Sequence, residues 1–218
     1  MRNFLRNWVL VHMASGLAID RIIDAGLFFF HKREELQLGS SIAIFYLLMA
    51  FLQACVLLSV VQWLLLRRRI FQSSRWIPAT IGGSLAGSIV YLPLILIFAP
   101  IFVALPGSLD SGVYLCSGIG AGLAQWLILK KQFSQSGWWI LANSVGTAVT
   151  LYLHLQFSWI VFWKFGLANV LWGGSGNVYE FVSFLYAGIC WAVYGFITGF
   201  VMIKLLTKPH NQALTHSR

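Results

Sequence analysis

The stretch QWLLLRRRIFQSSRWIPATIGG at residues 62–83 returns 63 residues later, without a gap, as QWLILKKQFSQSGWWILANSVG at residues 125–146. Ten of the 22 aligned positions are identical. Each copy ends an apolar run with Gln-Trp and a basic pair, makes a short polar turn, and begins the next apolar run with Trp. Such self-similarity predicts a repeated structural unit. We interpret this unit as a hairpin of two helices whose turn lies at a membrane surface.

The composition of the whole chain predicts a membrane location. Of the 218 residues, 59% are apolar and 10% are charged, whereas a soluble domain has about 45–50% apolar and about 25% charged residues. A soluble globule of this size could not hide so much apolar surface from water. The three cysteines lie in apolar runs without a C-x-x-C spacing, so we predict neither a disulfide framework nor a zinc site.

Six apolar runs reach the length of about 20 residues that a transmembrane helix requires. The predicted fold class is therefore all-α, a polytopic membrane protein in which residues 1–218 form a single integral membrane domain. The predicted spans are residues 8–30, 41–66, 76–104, 112–129, 138–163 and 178–206. Residues 41–104 and 112–163 contain the duplicated hairpin units.

The basic residues predict the orientation of these spans. With six spans and both termini on one side, eleven basic residues fall on that side: Arg2, Arg6, Arg67, Arg68, Arg69, Arg75, Lys130, Lys131, Lys204, Lys208 and Arg218. The opposite side has three: Lys32, Arg33 and Lys164. The positive-inside rule then makes both termini cytoplasmic. Because the basic residues are divided among short turns, we expect contact with anionic lipid headgroups and no nucleic-acid partner. Five tryptophans beside these turns are expected at the membrane interface: Trp63, Trp76, Trp126, Trp138 and Trp139.

Fainter similarity at the two ends of the chain suggests a third hairpin. The start of the first span at Trp8 resembles the spans that begin at Trp76 and Trp139, and the segment from Gly195 to Lys204 resembles the end of the fourth span. Residues 8–30 and 178–206 would then form this third unit, and the first and sixth helices would be neighbours. Repeats of two spans each are related about an axis along the membrane normal.

The repeated Q-W-L-x-L motif and the W-W-x-x-A motif at residues 138–142 resemble those of uncharacterised bacterial multi-pass membrane proteins built from such hairpins. The resemblance covers about 60% of the chain and is strongest at the two Gln-Trp turns. It implies a bacterial inner-membrane location and transfers no catalytic residues. The first span departs from the motif because it contains charged residues.

Those charged residues are the first candidates for a functional site. At membrane depth each lone charge costs at least about 2.5 kcal/mol. Two carboxylates spaced i, i+4 share a helix face with a guanidinium within reach, so the cluster is either an ion or proton site or a structural group near the outer end of the span. We expect the structural role. The candidate intramembrane polar site comprises Asp20, Arg21, Asp24, His154, Gln156 and Glu180.

Two histidines raise the question of a haem group. His12 lies four residues after Trp8 and His154 lies fifteen after Trp139, which separates their depths by about 16 Å at about 1.5 Å per residue. We therefore expect each to be a hydrogen-bonded histidine and predict no cofactor. The G-x-S-G string at residues 173–176 has no histidine in the following span to act as a base, so no protease is predicted.

The remaining motifs indicate helix packing. Three G-x-x-x-G ridges allow close approach between helices, and we expect buried amides to bond across helices. The ridges are Gly83 and Gly87, Gly118 and Gly122, and Gly195 and Gly199. The amides are those of Gln53, Gln62, Gln125, Asn143 and Gln156. We expect a non-catalytic accessory or interaction subunit that packs on other membrane proteins or on itself. The alternative is a small transporter or channel that uses the intramembrane acidic residues.

Overall fold

The computed structural model describes residues 1–31, 40–104, 108–159 and 176–207, and the regular structure in these ranges is entirely helical. The α-helices within them are α1 (Arg2–His31), α2 (Ser40–Leu66), α3 (Trp76–Ala104), α4 (Ser108–Leu129), α5 (Gly137–Trp159) and α6 (Gly176–Thr207), and a short 3-10 helix at Ser73–Arg75 precedes α3. The all-α fold class is confirmed. Each predicted span overlaps one of these helices, although residues 160–163 lie outside the described ranges.

The helices form a closed ring in chain order. Within the described ranges, extensive contacts join α1 to α2, α2 to α3, α3 to α4, α4 to α5, α5 to α6, and α6 back to α1. The predicted contact between the first and sixth helices is therefore confirmed. The basic turns after α2 and α4 and the first turn of α1 lie at one end of the ring, which we call the basic end.

Helix α1 is continuous through its charged segment. It extends from Arg2 to His31 without a break, so the charges at positions 20, 21 and 24 lie within the helix. Arg21 is partly buried, and its guanidinium carbon lies 5.4 Å from the centroid of the Phe184 ring on α6. This contact is part of the packing between α1 and α6.

Glycine residues set the distance between adjacent helices. A Cβ atom at Gly83 would overlap the backbone oxygen of Gly120, and one at Gly87 would overlap that of Cys116, so α3 and α4 meet backbone to backbone. The other two ridges also face a neighbouring helix: a Cβ at Gly122 would lie 2.8 Å from the Asn143 Cβ, and one at Gly199 would lie 2.7 Å from the Trp8 ring. The predicted packing role of the three ridges is confirmed.

The outer surface of the ring is rich in exposed apolar side chains. Leu64, Leu127 and Phe200 are 47%, 49% and 47% exposed, and they occupy corresponding positions near the basic ends of α2, α4 and α6. Two segments within the described ranges, Leu48–Leu66 and Phe184–Thr207, are long and apolar enough to cross a membrane. The buried core lies largely at the basic end, where apolar side chains from these helix ends and the intervening turns pack around tryptophan rings.

Candidate functional site

Three buried tryptophans converge inside the ring near the basic end. Trp8, Trp76 and Trp139 stand near the starts of α1, α3 and α5, and each has 0% exposure. The Trp139 ring centroid lies 6.2 Å from that of Trp8 and 5.7 Å from that of Trp76, in edge-on geometries. Edge-on packing is favourable because it places the positive edge of one ring against the negative face of another.

These positions correct one expectation from the sequence. A tryptophan beside a basic turn is expected at the membrane interface, because its ring is apolar and its N–H group needs a polar partner. Trp76 and Trp139 are instead fully buried. The N–H group of each indole donates a hydrogen bond to an acceptor inside the protein, so the ring does not have to lie at the interface to be satisfied. Trp138 is 58% exposed and faces outward as the rule predicts.

Each indole donates a hydrogen bond to the helix that precedes it in the ring. Trp76 Nε1 donates to Gln62 Oε1 at 2.9 Å, and Trp139 Nε1 donates to Gln125 Oε1 at 2.9 Å. Both glutamines precede their tryptophan by 14 residues. The expectation that these two amides bond across helices is confirmed, since each accepts a hydrogen bond from a buried indole on the next helix.

The third tryptophan closes the ring with different chemistry. Trp8 Nε1 donates to Thr198 Oγ1 on α6 at 3.1 Å. Thr198 in turn donates to the carbonyl oxygen of Tyr194 one turn earlier, at 2.9 Å. The hydroxyl group therefore accepts from α1 and donates to its own helix, which satisfies both of its hydrogen-bonding functions.

A buried polar residue follows each tryptophan by four positions. These residues are His12, Thr80 and Asn143, and each bonds to the carbonyl oxygen of its own tryptophan, at 2.8, 2.8 and 3.0 Å. Because residues i and i+4 lie on the same helix face, each polar side chain remains beside its tryptophan. His12 and Asn143 were expected from the sequence to form hydrogen bonds, whereas Thr80 and the common spacing of four residues were not recognised, although a polar residue follows the tryptophan by four positions in both copies.

The same residues also bind the next helix in the ring. Gln62 Nε2 lies 3.0 Å from His12 Nε2, and Gln125 Nε2 donates to Thr80 Oγ1 at 2.8 Å. Tyr194 on α6 donates its hydroxyl hydrogen to Asn143 Oδ1 on α5 at 2.6 Å. Gln125 Nε2 also donates to Gln62 Oε1 at 3.1 Å, which joins α4 directly to α2. Side-chain hydrogen bonds thus connect all six helices.

The geometry fixes the tautomer of His12. An indole N–H can only donate, so the Gln62 atom beside Trp76 is its oxygen, and the Gln62 amide nitrogen faces His12. That nitrogen also only donates, which requires His12 Nε2 to accept. His12 Nδ1 then carries the hydrogen and donates to the Trp8 carbonyl at 2.8 Å. The expectation of a hydrogen-bonded His12 is confirmed, and both of its ring nitrogens are occupied.

Most of the polar site predicted from the sequence lies outside the described part of the structure. The side chains of Asp20, Asp24, His154 and Glu180 lie outside the described part of the structure, and Arg21 contacts Phe184. Gln156 is exposed. In the described ranges no group of three or more His, Cys, Asp or Glu side chains could hold a metal ion.

Two of the five amides expected to bond across helices point outward. Gln53 and Gln156 are exposed. Gln53 precedes Gln62 by nine residues, which at about 3.6 residues per turn places it about 180° away on α2. Gln156 follows Asn143 by thirteen residues and likewise lies on the outer side of α5. The expectation was wrong for these two because residue type does not specify which face of an apolar helix is buried.

The turns at the basic end are joined by a separate pair of bonds. Gln132 Nε2 donates to the Phe71 carbonyl at 2.7 Å, and the Phe71 N–H donates to Gln132 Oε1 at 2.7 Å. The amide group of Gln132 thereby satisfies both the backbone N–H and the backbone carbonyl of Phe71, as a paired strand would. The basic residues of the turns lie over aromatic rings, with Arg67 5.8 Å from the Trp63 centroid and Lys130 4.7 Å from that of Trp126.

Comparison with protein-family models, curated proteins and solved structures found no match to this chain. The function is therefore inferred from the described side chains. At the basic end these side chains form a network in which indole, amide, imidazole and hydroxyl groups satisfy one another.

Proposed function

We propose that this protein is a bacterial inner-membrane protein of six spans with both termini in the cytoplasm, and that it acts as a non-catalytic accessory or interaction subunit. Its partners would be the lipid bilayer and other membrane proteins or further copies of itself. The observation that supports this proposal best is the closed hydrogen-bond network among the buried polar groups at the basic end.

The network favours a rigid scaffold over a conducting path. A transported ion or proton needs polar groups that can exchange partners, whereas the polar groups around the three buried tryptophans already bond to one another. The rings of Trp8, Trp76 and Trp139 pack against each other and exclude water between the helices at this end. Fully satisfied buried networks make a packed interior rigid and specific.

The outer surface supports an interaction role. Corresponding positions on α2, α4 and α6 expose Leu64, Leu127 and Phe200. A lipid-facing or partner-facing helix surface is apolar, since an unsatisfied polar group in hydrocarbon is costly. These positions therefore provide three comparable points at which to ask whether lipid or protein covers the helices.

Photo-crosslinking at these three positions in native membranes tests the interaction role. We expect at least one position to crosslink reproducibly to one identified protein, or to a second copy of this chain, while another crosslinks to lipid alone. Crosslinks to lipid alone at all three positions would contradict the accessory role.

Cysteine labelling at Ser108 tests the proposed orientation of the spans, and reaction exclusively from the cytoplasm would overturn that orientation.

Flux measurements in vesicles that contain the purified full chain test the alternative. We expect proton and potassium flux equal to that of protein-free vesicles, and we expect Asp24→Asn to reduce stability without changing flux. A wild-type flux that Asp20→Asn or Asp24→Asn abolishes in a folded protein would replace the proposal with a transporter.

A further inference from the structure

A basic groove lies between the start of α1 and the end of α2. Its volume is about 620 Å³, within the range of about 300–1,000 Å³ that is typical of small-molecule sites. The rim carries the side chains of Arg67, Arg68 and Arg69, and Asn3 and Asn7 face it from α1. The asparagines are four residues apart, so they lie one helical turn apart on the same face.

The wall of this groove is apolar. It is formed by Phe4 of α1 together with Leu64 and Leu65 of α2. Leu64 is 47% exposed, while Phe4 is 5% exposed and anchors the groove to the core. The groove therefore combines a cationic rim with an apolar wall that continues onto the outer face of α2. This combination suits an amphipathic anion better than a fully hydrated one.

Two of the three guanidinium groups are held in place by neighbouring side chains. Arg69 lies 4.8 Å above the centroid of the Phe4 ring, and its Nη1 lies 4.0 Å from the Met1 sulfur. Arg67 lies 5.8 Å from the centroid of the Trp63 ring. Stacking on an aromatic ring leaves the edge of a guanidinium free for the paired hydrogen bonds that phosphate oxygens accept. These contacts favour positions of two of the cations at the groove.

The charge distribution of the chain favours an anion at this groove. The described residues that line the groove include three arginines and no acidic residue. The N-terminal turn of α1 also contributes the positive end of a helix dipole. In the second repeat the position of Arg69 is occupied by Gln132, and that amide is already bonded to Phe71. The cluster of three arginines is thus particular to the first turn.

We propose that this groove is a binding site for the phosphate-bearing headgroup of an acidic phospholipid. The phosphate binds to Arg67, Arg68 and Arg69, the polar part of the headgroup bonds to Asn3 and Asn7, and the first carbons of an acyl chain lie along Leu64 and Leu65. Such a site would fix the basic end at the cytoplasmic membrane surface. It is independent of whether the bundle acts as an accessory subunit or as a transporter.

Native mass spectrometry of the delipidated full chain in a nonionic detergent tests this site. Phosphatidylglycerol is titrated into the wild type, into a triple variant with Arg67→Gln, Arg68→Gln and Arg69→Gln, and into a matched control with Lys130→Gln and Lys131→Gln. We expect one tightly bound phosphatidylglycerol in the wild type. Each basic residue near an anionic lipid surface contributes about fivefold in affinity, so the triple variant should lose on the order of a hundredfold.

The matched control and a neutral variant separate a built site from general attraction. Lys130 and Lys131 lie outside the groove. The loss of affinity for phosphatidylglycerol in the lysine variant should therefore be at least about tenfold smaller than the loss in the triple arginine variant. Asn3→Ala with Asn7→Ala leaves the charge unchanged and should still weaken binding. Near-ultraviolet circular dichroism of the tryptophans checks that every variant is folded.

Three results would overturn the proposal. A loss of affinity of about fivefold per removed charge in both the arginine and the lysine variants would mean general electrostatic attraction. Equal affinity for phosphatidylcholine would mean that headgroup charge is not recognised. Displacement of phosphatidylglycerol by millimolar inorganic phosphate would identify the groove as a site for a free phosphate anion, and the acyl chain would then have no role.

Discussion

Replacing Gln62 with leucine tests the central element of the network. Gln62 is 1% exposed, and its oxygen accepts hydrogen bonds from Trp76 at 2.9 Å and from Gln125 at 3.1 Å. Its nitrogen donates to His12 at 3.0 Å. Leucine has a similar size and no polar atoms, so Gln62→Leu leaves three buried groups without these partners.

The expected loss of stability follows from the number of buried groups that lose a partner. A buried polar group that loses its partner costs about 1–3 kcal/mol in soluble proteins, whereas hydrogen bonds between membrane helices average about 0.6 kcal/mol. The loss of stability for three groups is about 2 kcal/mol at the value for membrane helices and about 6 kcal/mol at the middle of the range for soluble proteins. Burial of leucine carbon offsets part of this loss. We therefore expect Gln62→Leu to lower the free energy of unfolding by about 2–4 kcal/mol.

Reversible unfolding in mixed micelles, followed by tryptophan fluorescence, measures this loss. The matched control is Gln53→Leu, which makes the same chemical change on the exposed face of α2 and should alter stability by less than about 0.5 kcal/mol. A double-mutant cycle with Trp76→Phe should give a coupling energy of about 0.5–3 kcal/mol, because the second change removes the indole N–H. Equal effects of Gln62→Leu and Gln53→Leu would refute the network as a source of stability.

Two further substitutions test the helix contacts and the turns. Gly83→Ala should destabilise the protein by about 1–3 kcal/mol because its Cβ would overlap the Gly120 backbone. In the same unfolding assay the adjacent Gly82→Ala, which meets open space, should be neutral or stabilising by up to about 1 kcal/mol; equal losses would contradict close α3–α4 packing. Gln132→Ala should speed hydrogen exchange at the Phe71 amide, measured by mass spectrometry, and unchanged exchange would mean that the two bonds do not hold the turns together.

The sequence predicted helix positions well because the chain marks the ends of its helices clearly. An apolar run that ends in Gln-Trp and a basic pair gave the end of α2 at Leu66 and that of α4 at Leu129. The G-x-x-x-G ridges were equally informative, since a glycine on an apolar helix has little reason to be there unless another helix approaches closely. These predictions needed only information local to each helix.

Predictions that depended on the direction of a side chain were less successful. Trp76 and Trp138 both adjoin a basic turn, yet the first is buried and the second is exposed. The difference lies in the partner, because Gln62 on another helix accepts the Trp76 indole hydrogen. The sequence did contain a signal, since Thr80 and Asn143 place a polar residue one turn after the buried tryptophan in each copy. An apolar helix otherwise offers little contrast between its lipid-facing side and its buried side.

The hydrogen bonds of α6 are arranged like those of α4, although different residues make them. On α4, Gln125 performs two tasks, since it accepts from the next helix through Trp139 and donates to the previous helix through Thr80. On α6 these tasks are divided: Thr198 accepts from Trp8, and Tyr194, one turn earlier, donates to Asn143. A threonine side chain is too short to reach both neighbours, whereas the longer tyrosine reaches α5. Because the arrangement of donors and acceptors is kept while the residue types are replaced, no glutamine remains at this position for a sequence comparison to align.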